Sequence, residues 1–194
     1  MTTNSLRELL RNRRSVYPNS YVSGPIDRAI LEDILENANW APTHKLTEPW
    51  RFQVFEGESL NALGAYMGNW YLEQTPEEAY SERAHQKMQT NPTKAGAVIV
   101  IIMQRHEDSG LPEWEEIAAV SAAVQNMWLT ASAYGLGSYW SSPRAIQQAD
   151  AFLALEPGQR CLGMLYLGRL APDTSLPGRE RKPIAEKVRW RSGS

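Results

Sequence analysis

The chain has 194 residues, a formal net charge of −2, 42% hydrophobic and 22% charged residues. This is an ordinary globular composition, long enough for one core-forming domain over residues 1–194. The near-neutral balance excludes a broad electrostatic attraction to nucleic acid or to an anionic membrane surface.

One cysteine, Cys161, excludes a disulfide framework. The first residues, "MTTNSLRELLRNRRSV", read as an amphipathic helix rather than the apolar core of a signal peptide. The longest apolar run, "AVIVIIM" at Ala97–Met103, is far shorter than the roughly 20 residues that a bilayer span needs. A cytoplasmic, soluble chain is expected.

In chain order, residues 4–12 carry Leu6, Leu9 and Leu10 on one helical face. A second helix starts at the N-cap candidate Asp27 and carries Ile30, Leu31, Ile34, Leu35 and Ala38 at helical spacing. Pro42 ends it. "WRFQVFEG" from Trp50 then alternates like a strand. Residues 57–92 read as helical and polar, with Leu60, Leu63, Tyr66 and Met67 as the buried side. "AGAVIVIIMQ" is a continuous apolar strand of the kind covered on both faces. After a loop at "SGLPEW", Glu115–Tyr134 forms the longest helical pattern, crowded with alanines and stopped by Gly135. "LGSYWSS" is extended, "PRAIQQADAFLAL" reads as a helix opened by Pro143, and "QRCLGMLYLGRLA" as a strand. From Pro172 the tail has three prolines, ending at Pro183, and six basic residues. It reads as an arm over a surface. The fold class is α+β, with a central mixed β-sheet flanked by helices.

Familiar chemical signatures are missing. There is no phosphate-binding glycine loop: "GLGSYW" follows a helix instead of opening one. There is no GxSxG elbow. His44, His85 and His106 are scattered, so no metal cluster is expected. Cys161 lies in an apolar strand and reads as a structural thiol. With no side-chain nucleophile or metal evident, a bound cofactor is expected to carry any reaction.

Three segments could meet such a ligand. Arg13-Arg14-Ser15 and Arg179-Glu180-Arg181-Lys182 are either solvated surface charge or ligands for a terminal phosphate. In "APTHKLTEPWRF", two prolines fix a loop that presents His44 and Lys45. There His44 is either a surface residue or a donor to a ring edge, and Lys45 could balance charge on a reduced ring. Tyr139-Trp140-Ser141 follows the alanine-rich helix and could meet the same ring. Of the seven tryptophans, Trp40, Trp50 and Trp140 sit in loop-like segments where an aromatic ligand could reach them.

The order of "NRRSV", "APTHKLTEPWRF", "ASAYGLGSYWSS", "LYLGRL" and "RERKP" resembles that of the FMN-dependent nitroreductase family, most closely its short bacterial YdjA-like branch. The resemblance implies an intertwined homodimer, completed by the chain ends, with two FMN sites at its interface. It implies that Arg13, Arg14 and Ser15 hold the FMN phosphate and ribityl chain, joined by Arg179 and Arg181. It puts Thr43, His44 and Lys45 along the flavin edge from one subunit, and Tyr139, Trp140 and Ser141 beside the ring. NADPH or NADH would supply electrons, and a nitroaromatic, quinone or similar small molecule would accept them in a ping-pong scheme, with no residue required as acid or base. The sequence departs from the family where an asparagine, a glutamine and an arginine are common: Leu46, Glu48 and Tyr17 stand there. A non-catalytic flavin carrier or redox sensor fits the same motifs, and a cofactor-free hydrolase using Cys161 is the remaining alternative.

Overall fold

The structure, a computed structural model, describes residues 2–176 and 178–192. Pro177 of the arm therefore lies outside the described residues. Ten regular elements appear: helices α1 (Thr3–Asn12), α2 (Arg28–Asn39), α3 (Glu58–Gln74), α4 (Glu82–Thr90), α5 (Glu113–Ala133) and α6 (Arg144–Gln147), and strands β1 (Trp50–Phe55), β2 (Ala97–Gln104), β3 (Gly137–Ser141) and β4 (Gln159–Gly168).

The strands form one sheet in the order β1-β2-β4-β3. The α+β class expected from the sequence is found, but the sheet is not mixed: every strand pair is antiparallel. The β1–β2 connection explains one of these pairings. Gly64 of α3 faces Gln89 of α4, and Gly68 faces Gln89 and His85, so the two helices form an antiparallel hairpin. A hairpin returns the chain to the end of the sheet that β1 left, and β2 must run back against it. An added Cβ at Gly64 would lie 2.3 Å from the Gln89 carbonyl oxygen, so glycine permits this close approach. The expected single helical stretch over 57–92 is therefore two helices, broken around Pro76.

Strand β2 is buried at every residue except Gln104, as its unbroken apolar run requires. Alternation divides its side chains between two layers. Ile99, Ile101 and Met103, with Leu165 and Leu167 of β4, pack against Leu31, Ile34 and Ala38 of α2 and Val120, Val124 and Met127 of α5. Val98, Val100 and Ile102, with Met164 and Tyr166, pack against Leu60, Leu63 and Met67 of α3 and Ala145 and Ile146 of α6. Cys161 is buried in this second layer, and burial pushes its thiol up to about 11.

Helix α5 starts two residues before the expected Glu115 and ends in a Schellman turn. Gly135, at φ 72°, donates to Ser132, and Leu136 donates to Ala131. Asp27 is the N-cap of α2 by position, but its side chain makes no capping bond. The helix expected from Pro143 onward lasts one turn. Ala149 and Leu153 are buried at helix-like spacing, yet the bonds there mix lengths: Leu153 donates to Ala149, and Leu155 to Asp150. Residues beyond α6 are thus successive turns that happen to bury a helical pattern.

Two glycines, Gly137 of β3 and Gly168 of β4, pair directly across the sheet. The ring of Tyr21 lies over them; a Cβ at either position would come within 2.7 Å of it or closer. The tail beyond residue 179 is exposed throughout its described length and carries one short 3-10 turn, Ile184–Lys187. No helix among the described residues is long and apolar enough to cross a membrane.

Candidate functional site

The arginine segment follows α1 directly. Arg13 is the C-cap, its amide donating to the Leu9 carbonyl at 3.1 Å. Its guanidinium carbon stands 4.2 Å from the ring centroid of Trp128 on α5. The Trp128 Nε1 donates to the Arg14 carbonyl at 3.2 Å, and Arg179 Nη1 donates to the Arg13 carbonyl at 2.5 Å. Arg14 Nη1 reaches the Arg11 carbonyl at 2.7 Å. Ser15 is half-buried, and Val16 donates from its amide to the Ser138 carbonyl at 2.9 Å. The segment is thus held between α5 and the edge of β3.

Its electrostatics are one-sided. Burial, then the charges of Arg181 and Arg14, hold the Arg13 guanidinium below its ordinary pKa. Among the described residues, Arg13, Arg179 and Arg181 form no ion pair with a carboxylate. Arg13 Nη1 is buried without a hydrogen-bond partner, as is the hydroxyl of Ser138. A buried cationic donor beside further cations is costly unless an anion meets it. A cleft of about 170 Å³ opens here, lined by Arg13, Arg14 and Val16 among others.

Strand β3 divides its candidates. Tyr139 lies on the α3 side, 4.5 Å between centroids from Tyr17 and stacked at 6.1 Å on Tyr166. Trp140 points to the α5 side, its Nε1 buried and unpartnered. Ser141 closes the strand opposite Met164. The side chains of Tyr139 and Trp140 therefore cannot lie on one face of one ring; the shared element is the strand's backbone.

The "APTHKLTEPW" loop is strained and heavily tied down. Among the described residues four non-glycine positions have positive φ, and three are here: Lys45, Leu46 and Glu48. Each costs on the order of 1–2 kcal/mol. The Thr43 hydroxyl accepts the Glu48 amide at 3.1 Å and meets Thr47 Oγ1 at 3.1 Å. His44 Nδ1 lies 2.6 Å from Glu115 Oε2, leaving Nε2 as the nitrogen open to a ligand. Lys45 Nζ donates to the Ser109 carbonyl at 2.6 Å. The loop holding Ser109 is fixed in turn by Glu116, which is buried and bonds Arg105 and both the amide and Nδ1 of His106. Trp50 is buried, its Nε1 donating to Asn39 at 3.0 Å, so it anchors the loop and is not open to a ligand; Trp40 is exposed.

The structure brings Arg13, Arg14, Ser15, Arg179, Arg181 and the start of β3 together at the C-terminal end of α5. It holds Thr43, His44 and Lys45 at the other end. Glu115 and Trp128 are separated by thirteen positions on α5, roughly 20 Å at about 1.5 Å per residue. Sequence reasoning missed Trp128, Ser138 and Glu115. A serine inside the strand start was the one available signal; Glu115 reads as helix surface and Trp128 as core.

The fold is that of a known class. The profile of the Nitroreductase family matches residues 10–169, and the chain belongs to that family. Among its relatives is YdjA of Escherichia coli (strain K12), 33% identical over 87% of this chain and 91% of that protein. A nitroreductase-like family protein from Bacillus cereus has 28% identity, covering 100% of this chain and 99% of that one, with a TM-score of 0.78. A protein from Desulfovibrio desulfuricans, assigned to the nitroreductases and solved in complex with FMN, has 25% identity, covering 96% of each chain, with a TM-score of 0.71.

Proposed function

We propose that this chain is an FMN-dependent oxidoreductase that passes electrons from NADPH or NADH to a nitroaromatic, quinone or similar acceptor by a ping-pong scheme. The observation that carries this reading is the buried, unpartnered Nη1 of Arg13, which among the described residues forms no ion pair with a carboxylate, nor do Arg179 and Arg181 beside it. That donor set fits a phosphomonoester such as the one FMN carries.

When bound, FMN would supply the reversible two-electron chemistry. The chain's own part is to hold it. Arg13, Arg14 and Ser15, with Arg179 and Arg181, would take the phosphate and ribityl chain. Tyr139, Trp140 and Ser141 would border the ring through the strand backbone. Thr43, His44 and Lys45 would meet a ring edge, His44 through Nε2 and Lys45 as a positive charge. Because this loop stands at the far end of α5 from the arginines, we read it as completing the site of a second copy, in a homodimer. The names of relatives support the electron donor: YdjA is named for NAD(P)H nitroreductase activity.

The visible spectrum of the purified protein, before and after NADPH or NADH without air, tests the proposal. Flavin bands that bleach, and return on addition of a quinone, are the expected result. Bands that persist with both nucleotides would make the protein a flavin carrier. No bands after incubation with FMN would remove the cofactor.

A further inference from the structure

The Arg13–Ser15 segment has a second anchor, opposite Trp128. Tyr21 is five residues beyond Val16, and its hydroxyl donates to the Val16 carbonyl at 2.7 Å. The Val16 amide donates to the Ser138 carbonyl at 2.9 Å. Both backbone polar groups of Val16 are therefore committed, one to the sheet edge and one to Tyr21. The next amide, Val22, bonds the Arg169 carbonyl at 3.0 Å, and buried Pro18 opens the turn between. Tyr21 itself cannot shift, because its ring fills the space left by Gly137 and Gly168.

A phenylalanine would fill that glycine berth equally well. What the hydroxyl adds is the direction of the Val16 carbonyl, hence the Val16–Tyr17 peptide plane, which together with the Val16 amide's bond to Ser138 fixes the backbone on the C-terminal side of Ser15. Anion recognition by a backbone segment and a side-chain fork tolerates only about 0.5 Å of misplacement. We propose that Tyr21 is a positioning residue for the Arg13–Ser15 segment, and that its hydroxyl sets the preference for a phosphorylated ligand over the same ligand without phosphate. The ligand half of this inference rests on the flavin reading above. The positioning half does not.

The test is Tyr21→Phe in the full chain, with two readouts. Flavin fluorescence gives the Kd for FMN and for riboflavin; hydrogen exchange follows the Val16 amide. Loss of one hydrogen bond is worth about 1 kcal/mol, roughly a fivefold change in Kd. FMN is expected to bind about fivefold more weakly while riboflavin is unchanged. The Val16 amide is expected to exchange faster while the β2 amides hold. Equal losses for both flavins, or no loss, overturn the proposal, because a purely structural hydroxyl has no means of telling the ligands apart. An unchanged Val16 amide overturns it too. If the unsubstituted protein binds neither flavin, the flavin reading falls and the amide alone decides the positioning role. Should Tyr21→Phe fail to fold, Pro18→Ala frees the turn between Val16 and Tyr21 and so weakens the hydroxyl's bond to Val16 with the ring kept; an FMN-selective loss with a faster Val16 amide is expected, and equal losses for both flavins overturn the proposal.

Discussion

Arg13 lies over Trp128, its guanidinium carbon 4.2 Å from the indole centroid, and the same indole donates to the carbonyl of the next residue, Arg14. One side chain of α5 thus fixes both the charge and the backbone of the arginine segment. Replacing Trp128 with leucine removes a cation–π contact of about 0.5–2 kcal/mol and a hydrogen bond of about 1 kcal/mol. FMN affinity is expected to fall roughly ten- to a hundredfold, measured by fluorescence titration. Trp128→Phe keeps the ring face and should lose about fivefold, the share of the hydrogen bond.

Much of this was legible in the sequence, and the boundary is physical. The segments carrying cations and prolines were visible because such residues are conspicuous at those positions. The β2 core strand was visible because a strand covered on both faces has no polar residue to interrupt it. Trp128 was not, since one ring on a helix full of apolar residues reads as core. Nor was the antiparallel sheet: strand direction depends on how α3 and α4 fold back, and that depends on Gly64 and Gly68 meeting α4. The one-turn α6 misled because buried turns can share the spacing of a helix.

Arg13 is held for its ligand at some expense to the fold. Arg13→Met keeps the long apolar stem over Trp128 and removes a partly buried charge that two other arginines repel. The ligand-free protein is expected to melt at the same temperature or slightly higher. FMN affinity should fall at least tenfold, with riboflavin affinity little changed. Differential scanning fluorimetry and paired titrations check both halves.

Leu46 stands at a left-handed φ of 54° and the residue is 82% exposed. Almost no contact is lost if it becomes glycine, and the backbone strain is relieved. Leu46→Gly is expected to stabilise the ligand-free protein by about 1 kcal/mol, near 2–4 °C in Tm for a chain of this size. A drop in Tm would show that Leu46 is covered in solution, as a homodimer contact would require.

Stability should fall at alkaline pH. Burial raises the Cys161 thiol from 9.0 to about 11, and burial also raises the phenols of Tyr21 and Tyr166. All three are favoured neutral in the fold, so their contribution is intact below about pH 9. It is lost as the unfolded chain ionises from about pH 9 upward, where the unfolded state binds fewer protons. Urea melts from pH 7 to 11 should show a decline that begins near pH 9. Cys161→Ala should flatten its first part and leave any NAD(P)H oxidation unaffected, which also separates a flavoenzyme from a cysteine hydrolase.

Tyr21, Gly137 and Gly168 come from three distant parts of the chain yet occupy one volume. None of the three can drift alone. A relative that keeps the tyrosine is bound to keep both glycines bare, whereas one that gives it up is free to carry side chains at both strand positions and must steady its arginine segment by other means. In an alignment these three columns should change as a set, leaving a trace in descent of a contact between a turn and a sheet.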